Sequence, residues 1–337
     1  MPYLITFCLI FLQFFVNAQI INEQWVKDNY TKKEYSIVMR DGVKLFTAVY
    51  TPKDSKEKHP FLITRTPYSC APYGEDKYQP RLWNFHWREY LKEGYIFVFQ
   101  DVRGRWMSEG TFMDVRPFNT NKKTKKDIDE ASDTYDAVDW LVKNIPNNNG
   151  NVGVFGTSYP GFYSTMAALS GHPAIKAVSP QAPVTEWFKG DDFHHNGVFM
   201  LCDAFNFYAE FGQPRPKPTT VGPNDFKHYT NDIYKYYLEV GAIKNFSKLM
   251  GDSILFWNDL MNHPNYDDWW KARDARVGCK NVKPAMLTVG GLFDAEDCYG
   301  AWRLYEAIEK QSPITNNKIV MGPWFHGGWS KGDGSFL

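Results

Sequence analysis

One serine of the sequence lies between glycines, where an apolar run gives way to a helical pattern. The run is Val152-Gly-Val-Phe-Gly-Thr-Ser158-Tyr-Pro-Gly161. A nucleophilic serine at a strand tip requires a sharp turn, and small residues beside it let strand and helix approach closely. The usual pattern is Gly-x-Ser-x-Gly, whereas here Pro160 holds the second glycine position and Gly161 follows it. The run therefore predicts a nucleophilic serine at Ser158, and a plain Gly-Thr-Ser turn is the alternative.

An acid and a histidine follow this serine in the chain order that a triad has in α/β folds. Asp294 lies just past a predicted strand, and His326 lies in the glycine-rich run Gly322-Pro-Trp-Phe-His-Gly-Gly328. Active sites of open α/β sheets lie at the carboxyl ends of the strands, which is where both residues fall. Of the eight histidines, only His326 follows both the serine and the acid. We predict Ser158 as nucleophile, Asp294 as orienting acid and His326 as base.

An acyl-transfer site also needs donors for the oxyanion. The backbone N–H of Tyr159 is one candidate, because it directly follows the serine. In hydrolases of this type the second donor comes from the loop after the third strand, which here reads Arg65-Thr-Pro-Tyr68 and contains no His-Gly-Gly. The Tyr68 hydroxyl could donate instead, because a phenol O–H can bond a developing alkoxide. An ordinary turn tyrosine is the alternative.

Alternating strands and helices are predicted around these residues. Runs rich in apolar and β-branched residues predict strands at Tyr35–Met39, Lys44–Tyr50, Phe61–Thr64, Tyr95–Gln100, Val152–Phe155, Ala174–Pro180 and Met286–Val289. Asp41-Gly42 between the first two runs predicts a hairpin. Helices are predicted at Ala131–Lys143 and Phe162–Leu169. This alternation predicts an α/β fold with a mostly parallel sheet flanked by helices.

The pattern changes between about residues 186 and 276. Aromatic residues mix there with Asn, Asp and Pro, no buried strand is evident, and helical stretches such as Asp232–Val240 occur. The strand pattern then resumes at Lys283–Val289. We expect a helical cap at 186–278, inserted into an α/β domain that comprises 19–185 and 279–337.

The first residues have the pattern of an export signal. Leu4–Val16 is almost wholly apolar but too short for a membrane-spanning helix, which needs about 20 residues. The run ends in Val16-Asn17-Ala18, which has small residues at the two positions that a signal peptidase reads. We expect residues 1–18 to be a signal peptide and the protein to be secreted or periplasmic, without membrane attachment. A buried N-terminal strand or helix is the alternative.

Composition excludes several classes of protein. The 38 Lys+Arg balance 38 Asp+Glu, which argues against a nucleic-acid partner. No Cys-x-x-Cys or His-x-x-x-His spacing is present, so no zinc site and no other metal or organic cofactor is expected. Beyond the predicted signal, an oxidising compartment would allow one or two disulfides among Cys70, Cys202, Cys279 and Cys298.

Several motifs in combination resemble the cocaine esterase/X-Pro dipeptidyl-peptidase group of α/β-hydrolases. They are Arg65-Thr-Pro-Tyr68, Asp101-Val-Arg-Gly-Arg105 with Ser108-Glu-Gly110, Gly156-Thr-Ser-Tyr-Pro-Gly161 and the Gly-Pro-Trp-x-His run that ends at His326. The resemblance covers most of the chain after the predicted signal. It implies an α/β-hydrolase fold in which Ser158, Asp294 and His326 form the triad. It also implies an oxyanion hole made by Tyr68 and the Tyr159 N–H.

Within this group the sequence most resembles the α-amino acid ester hydrolases, which are related to glutaryl-7-aminocephalosporanic acid acylases. Those enzymes bind the substrate's α-ammonium with a carboxylate cluster, whose members match Asp192, Glu296 and Asp297 here. Three carboxylates that converge on one pocket are costly unless a cation neutralises them, and an α-amino group would do so. The alternative is that Glu296 and Asp297 cap the helix Cys298–Ile308, where acids in the first turn are favoured.

The sequence departs from this family at its C-terminal end. Family members usually continue past the base histidine into a jelly-roll β domain, whereas this chain stops at Leu337. We expect either a fragment or a shortened form, whose exposed surface could drive homo-oligomer formation.

The expected function is hydrolysis of an ester or amide, in a small molecule or a short peptide, through an acyl-enzyme. The resemblance favours substrates with a free α-amino group, such as α-amino acid esters or β-lactam amides. Three alternatives stay open: a dipeptidyl-peptidase that releases X-Pro, an esterase or acylase without ammonium recognition, and an inactive truncated chain that serves as a binding module.

Overall fold

An eight-stranded sheet forms the centre of the computed structural model, which describes residues 21–54, 56–84 and 87–331. Its strands are β1 (Tyr30–Val38), β2 (Lys44–Pro52), β3 (His59–Thr66), β4 (Ile96–Asp101), β5 (Asn148–Thr157), β6 (Ile175–Gln181), β9 (Ala285–Gly291) and β10 (Asn317–Gly322). They are arranged in the order β1-β2-β4-β3-β5-β6-β9-β10. Strands β1, β2 and β4 pair antiparallel, and every pair from β4 to β10 is parallel.

Ten α-helices accompany the sheet in the part of the chain that the structure describes. They are α1 (Glu23–Asn29), α2 (Trp87–Lys92), α3 (Glu130–Asn144), α4 (Tyr159–Leu169), α5 (Leu201–Phe211), α6 (Ile233–Val240), α7 (Ile243–Met250), α8 (Leu255–Asn262), α9 (Asp268–Ala272) and α10 (Cys298–Gln311). Five of them, α5 to α9, lie in the β6–β9 connection, which we define as residues 182–284.

Both faces of the sheet are covered, and β4 shows this directly. Ile96 and Val98 pack in one apolar cluster with α3, α4 and α10, while Phe97 and Phe99 pack in another with α1 and α2. Side chains alternate between the faces of a strand, so a strand buried on both faces has an unbroken apolar sequence. This is why the Tyr95–Gln100 run could be predicted as a buried strand.

The structure confirms the predicted α/β fold and most of its elements. Gly42 sits in the β1–β2 turn with a φ of 91°, as the predicted hairpin requires. The predicted helix Ala131–Lys143 is α3, which begins at a capping box made by Asp129 and Ser132. The ends of most elements lie one to a few residues beyond the predicted ones, because polar end residues also join the hydrogen-bond ladders.

The β6–β9 connection is helix-rich, in agreement with the sequence pattern, although its role as a cap with bounds at 186–278 stays a prediction. It also contains one unpredicted hairpin of two-residue strands, β7 (His194–His195) and β8 (Val198–Phe199). Its aromatic residues form a third apolar cluster, in which they pack against α4 and the segment after β4.

The predicted signal peptide, residues 1–18, lies outside the described residues. Among the helices that the structure describes, none is long and apolar enough to cross a membrane. Cys70, Cys202, Cys279 and Cys298 are free thiols. The disulfides that the sequence allowed are therefore not formed.

Candidate active site

Ser158 occupies a strained turn between β5 and α4. Its φ of 69° and ψ of −130° place it in a backbone region that few non-glycine residues adopt, as a nucleophile at a strand tip does. Its N–H donates to the Gln181 carbonyl at the end of β6, at 2.9 Å. A Cβ on Gly156 would collide with the Pro160 carbonyl, and one on Gly161 would lie 2.7 Å from the Gln181 carbonyl oxygen. Helix α4 thus approaches β6 most closely at Gly161, which explains why the second glycine of the motif stands one position later than usual.

Asp294 and His326 form a hydrogen-bonded pair. His326 Nδ1 lies 2.9 Å from Asp294 Oδ2, while Asp294 Oδ1 accepts the backbone N–H groups of Glu296 and Asp297. Burial alone would lower the pKa of His326, but the hydrogen bond to Asp294 and that carboxylate's charge outweigh it and raise this pKa. Burial would raise the pKa of Asp294, yet the His326 contact lowers it overall. An ionised acid that orients Nδ1 leaves Nε2 to act as a base.

Two sets of contacts hold the His326 loop beside the serine turn. Leu292 N–H donates to the Gly322 carbonyl at 2.8 Å, which joins the segment before Asp294 to the end of β10. Trp329 Nε1 donates to Gln181 Oε1, also at 2.8 Å. Because the Gln181 backbone carbonyl accepts the Ser158 N–H, a single residue contacts both loops. A Cβ on Gly327 would lie 4.0 Å from Thr157 Cγ2, which places the two turns side by side.

Tyr68 lies beside the serine turn, where the proposed oxyanion donor would have to stand. The Ser158 side chain is close enough to the phenol to act on its pKa, and the Tyr68 and Tyr159 ring centroids are 6.4 Å apart. Burial of the hydroxyl end and the nearby charge of Asp192 raise the pKa of Tyr68, so the phenol keeps its proton and can donate. The residue as a whole is 40% exposed, so a substrate could reach it. Tyr159 is the first residue of α4, where backbone N–H groups lack acceptors within the helix.

The three predicted ammonium ligands lie around the Asp294–His326 pair. Glu296 Oε2 is 3.6 Å from His326 Nε2, and Asp297 Oδ2 is 3.9 Å from His326 Nδ1. Asp192, whose φ is 43°, accepts the indole N–H of Trp187 at 2.5 Å. Its backbone N–H donates to the Glu296 carbonyl at 3.0 Å. The structure therefore brings together acids that are about 100 residues apart in the chain.

Two acids of this cluster hold their protons more tightly than free carboxyl groups do. Burial and the charge of Asp192 raise the pKa of Asp297 well above its ordinary value. Burial and the charge of Glu296 raise the pKa of Asp192 to about 6. Asp297 is fully buried, and among the described residues its carboxyl oxygens accept from no N–H group; its side-chain partner is the Asp192 carboxyl group, with which it can share a proton. Acceptors that are buried without a donor favour the entry of a cationic donor.

The structure argues against Asp297 as a simple helix cap. Asp297 holds the N-cap position of α10, but its side chain makes no capping hydrogen bond. Asp191 performs that task instead, because its Oδ1 accepts the Gly300 N–H at 2.6 Å. Its Oδ2 accepts the N–H groups of Thr185 and Glu186, both at 2.8 Å. Sequence reasoning missed Asp191, since two adjacent aspartates give no sign of which one faces the pocket.

Glu296, Asp297 and His326 each offer one ligand atom, and these atoms lie within 4.8 Å of one another. Such a group suits a cation in general. Asp294 already occupies His326 Nδ1, so a metal ion would have to take Nε2, the nitrogen that a triad uses to accept the serine proton. An organic ammonium needs only the carboxylates and leaves Nε2 free.

The sheet order, its helical layers and the serine turn after β5 define an α/β-hydrolase fold. Among solved structures, an α-amino acid ester hydrolase superposes with a TM-score of 0.80 at 34% identity, over 90% of this chain and 49% of the other. An aminopeptidase from a marine sediment archaeon, Thaumarchaeota archaeon, gives a TM-score of 0.78 at 34% identity, over 89% and 49%.

The family model of the X-Pro dipeptidyl-peptidases (S15 family) matches residues 41–328, so the chain belongs to this family. Its relatives include the cocaine esterase of Rhodococcus sp. (strain MB1 Bresler), 26% identical over 89% of this chain and 50% of that protein. A putative Xaa-Pro dipeptidyl-peptidase of Bacillus anthracis is 24% identical over 87% and 48%. The chain thus spans about half the length of these relatives. The family resemblance inferred from the motifs is confirmed, whereas the roles of the individual site residues stay predictions.

Proposed function

We propose that this chain is a serine hydrolase that works through an acyl-enzyme. His326 removes the Ser158 proton as the serine oxygen attacks an ester or amide carbonyl, and the Tyr68 hydroxyl with the Tyr159 N–H stabilises the oxyanion. The protonated histidine then donates its proton to the leaving group. A water molecule, deprotonated by the same histidine, releases the acid and regenerates the serine. The hydrogen-bonded Asp294–His326 pair and the Tyr68–Ser158 contact support this assignment.

We further propose that the preferred acyl donor carries a free α-amino group, as in α-amino acid esters or β-lactam amides. The observation that carries this proposal is the buried Asp297 carboxyl group, which accepts from no N–H group among the described residues and stands beside the acids Asp192 and Glu296. A substrate ammonium would supply the missing donors and charge. The names of the two solved relatives at 34% identity, an amino acid ester hydrolase and an aminopeptidase, are consistent with such a substrate.

A matched pair of esters tests both proposals. Phenylglycine methyl ester and phenylacetic methyl ester differ in the α-amino group alone. We expect Ser158-dependent turnover of both, with kcat/KM about 10- to 100-fold higher for the amino ester, which is the range of a charge-assisted hydrogen bond. Ser158→Ala is the control for residual activity of contaminants. Equal turnover of the two esters would retain the triad and refute the ammonium site.

The variant Asp192→Asn separates the two proposals further. We expect it to remove most of the preference for the amino ester and to leave turnover of the des-amino ester within a few-fold of wild type. Asp203→Asn provides the matched control, because Asp203 is exposed on α5. A variant that keeps the full preference would contradict the role of Asp192.

A dipeptidyl-peptidase is the second candidate, favoured by the family model that the chain matches. Such an enzyme would use the same triad and would also bind an N-terminal ammonium. It predicts cleavage of X-Pro-anilides with little activity on simple amino acid esters, so an X-Pro-anilide assayed beside the ester pair distinguishes the two.

We also propose that the chain is exported and that the β6–β9 connection acts as a cap over the pocket. The apolar run Leu4–Val16 followed by Val16-Asn17-Ala18 supports export. N-terminal sequencing of protein recovered from outside the cytoplasm should begin at Gln19. A start at Met1 would contradict the proposed cleavage.

A further inference from the structure

The segment after β4, residues 102–110, contributes nothing to the triad, yet it surrounds the loop that carries Tyr68. Asp101, the last residue of β4, begins this enclosure. It is fully buried, its Oδ1 accepts the Cys70 N–H at 2.8 Å, and its Oδ2 accepts the Tyr73 hydroxyl at 2.9 Å. These bonds fix the far end of the Tyr68 loop to the sheet.

The near end of the loop is held through the Pro67 carbonyl. Arg105 Nε donates to this oxygen at 3.3 Å and Trp106 Nε1 donates at 2.9 Å. Pro67 directly precedes Tyr68, so this carbonyl group and the Tyr68 N–H belong to the same peptide plane. A shift of the Pro67 carbonyl would therefore move the backbone from which the phenol extends.

Arg105 also reaches the end of α5. Its Nη1 donates to the carbonyl of Phe211, the last residue of that helix, at 2.9 Å. Its guanidinium carbon lies 4.1 Å from the centre of the Phe211 ring and 4.9 Å from that of Phe112. A cation is favoured at a helix C-terminus and over aromatic faces. The Phe211 ring in turn packs against the Tyr68 ring, with centroids 5.6 Å apart.

Arg103, two residues before Arg105, has a different environment. Arg103 forms salt bridges with Asp41 and Asp133, both shorter than 3 Å. Arg105 is 5% exposed and forms no salt bridge with any residue that the structure describes. The charge of Asp114 acts on it from beyond salt-bridge distance, but burial outweighs this charge and lowers the pKa of Arg105. A buried cation without a paired acid is costly. Its guanidinium bonds go to two backbone carbonyls that flank the oxyanion tyrosine, rather than to a charge.

We propose that Arg105 is a positioning residue that holds the Tyr68 hydroxyl at Ser158 by joining the Pro67 carbonyl to the end of α5. This inference rests on the proposed function, since it concerns the oxyanion hole of that reaction. Lysine keeps the charge but cannot bond two carbonyls in the directions that a planar guanidinium allows. Arg105→Lys should therefore misplace Tyr68 without removing it.

A double-mutant cycle on the full chain tests the inference, with kcat and KM measured on phenylglycine methyl ester. We expect Tyr68→Phe to lower kcat by about 100-fold or more, the usual loss of one oxyanion donor. Arg105→Lys should lower kcat by about 10- to 100-fold with little change in KM, as misplaced catalytic groups do. The double variant should be no slower than Tyr68→Phe alone, because a residue that acts through Tyr68 has nothing left to position.

Arg103→Lys is the matched control. Arg103 pairs with acids and not with the Tyr68 loop, so any decrease in kcat that this variant causes should multiply with the decrease from Tyr68→Phe. If Arg105→Lys does not fold, as judged by circular dichroism, Trp106→Phe replaces it. That variant removes the other donor to the Pro67 carbonyl and keeps an aromatic ring, so the same lack of additivity is expected with it.

The outcomes separate the inference from the proposed function. If wild-type protein hydrolyses the ester and Tyr68→Phe is slow, but the arginine and tyrosine losses multiply, only the inference is overturned. If Tyr68→Phe keeps the wild-type kcat, the oxyanion role and the inference fail together. If wild-type protein has no Ser158-dependent turnover, the proposed function fails and the inference falls with it.

Discussion

The carboxyl group of Asp297 decides how the site is interpreted. Its two oxygens are buried and accept from no N–H group among the described residues, and its partner is another acid, Asp192. Asp294, three residues earlier, accepts two backbone N–H groups and pairs with His326 Nδ1. Two acids on one short loop thus have different environments and different protonation behaviour. Asp294 suits the orienting role in a triad, and Asp297 suits a cation that arrives with the substrate.

The first prediction concerns pH. We expect the ratio of kcat/KM for the amino ester to that for the des-amino ester to rise as pH increases through about 6, the pKa of Asp192. Above that pH the carboxylate is ionised and attracts the ammonium; near pH 8 the ratio should fall again, as the amine loses its proton. The titratable groups that act on or with Asp192 are Asp191, Glu296, Asp297 and His326. Titration of His326 affects both esters equally, so it cancels in the ratio.

A pH series from 5 to 9 on both esters measures this ratio. A ratio that stays constant across the series would contradict the prediction. The same series on Asp192→Asn should show no rise near pH 6.

The second prediction concerns Asp294. Asp294→Asn should lower kcat by about 10⁴-fold with little change in stability, because the amide keeps the shape but no longer orients and stabilises the histidine as a carboxylate does. Steady-state kinetics and thermal unfolding measure the two effects. Asp268→Asn is a control, since its side chain is 98% exposed. A loss below about tenfold would argue for a different orienting acid.

Residue order was enough to select Ser158, Asp294 and His326 as triad candidates, since one histidine alone follows both candidate partners; their roles stay predictions. It was not enough for Gln181, which contacts both the serine turn and the histidine loop. A glutamine at a strand end has no distinctive sequence signal, and its role depends on which strands become neighbours.

At the level of elements, the turn between β5 and α4 sets the site. Its glycines are required by contacts with backbone, which cannot move aside as a flexible side chain can. A Cβ on Gly161 would lie 2.7 Å from the Gln181 carbonyl oxygen and 2.8 Å from the Pro183 Cα, so β6 and α4 touch there. Strands with continuous apolar sequence were predictable because burial on both faces dictates it. The short β7–β8 hairpin was not, because two-residue strands leave no periodicity.

The third prediction follows from this turn. Gly156→Ala should destabilise the fold by about 1–3 kcal/mol, because its Cβ would collide with the Pro160 carbonyl. Gly153→Ala is the matched control in the same strand, where the nearest atom is Leu62 Cδ1 at 3.4 Å. Urea unfolding of both variants measures the difference. Equal stabilities would show that the turn can relax around a methyl group.

At the level of the whole molecule, Asp191 joins parts of the chain that are far apart in sequence. It accepts N–H groups from the start of the β6–β9 connection and from the first turn of α10. The same junction brings Asp192 beside Glu296 and Asp297. The helix-rich character of the connection was predictable from composition. Its attachment to α10 was not, because Asp191 bonds backbone N–H groups, which every residue except proline has, so the sequence does not reveal its partners.

The fourth prediction tests this junction. Asp191→Asn should destabilise the protein by about 1–3 kcal/mol. Both carboxyl oxygens of Asp191 accept backbone N–H groups, and in the variant an NH₂ group would replace one of these acceptors and face a donor. The preference for the amino ester should also weaken, because Asp192 shifts with its neighbour. Thermal unfolding and the ester pair measure the two effects. Wild-type stability would show that the junction tolerates an amide.

Among the strands that the structure describes, β10 stands last in the sheet order and pairs with β9 alone, and the loop that follows it carries His326. A ribosome delivers a chain from its N-terminus, so the serine and its surrounding sheet emerge long before the histidine. Under the roles proposed for Ser158 and His326, the growing polypeptide would hold a nucleophile without its base until β10 and its loop emerge. The proposed reactivity would then begin only when β10 docks beside β9.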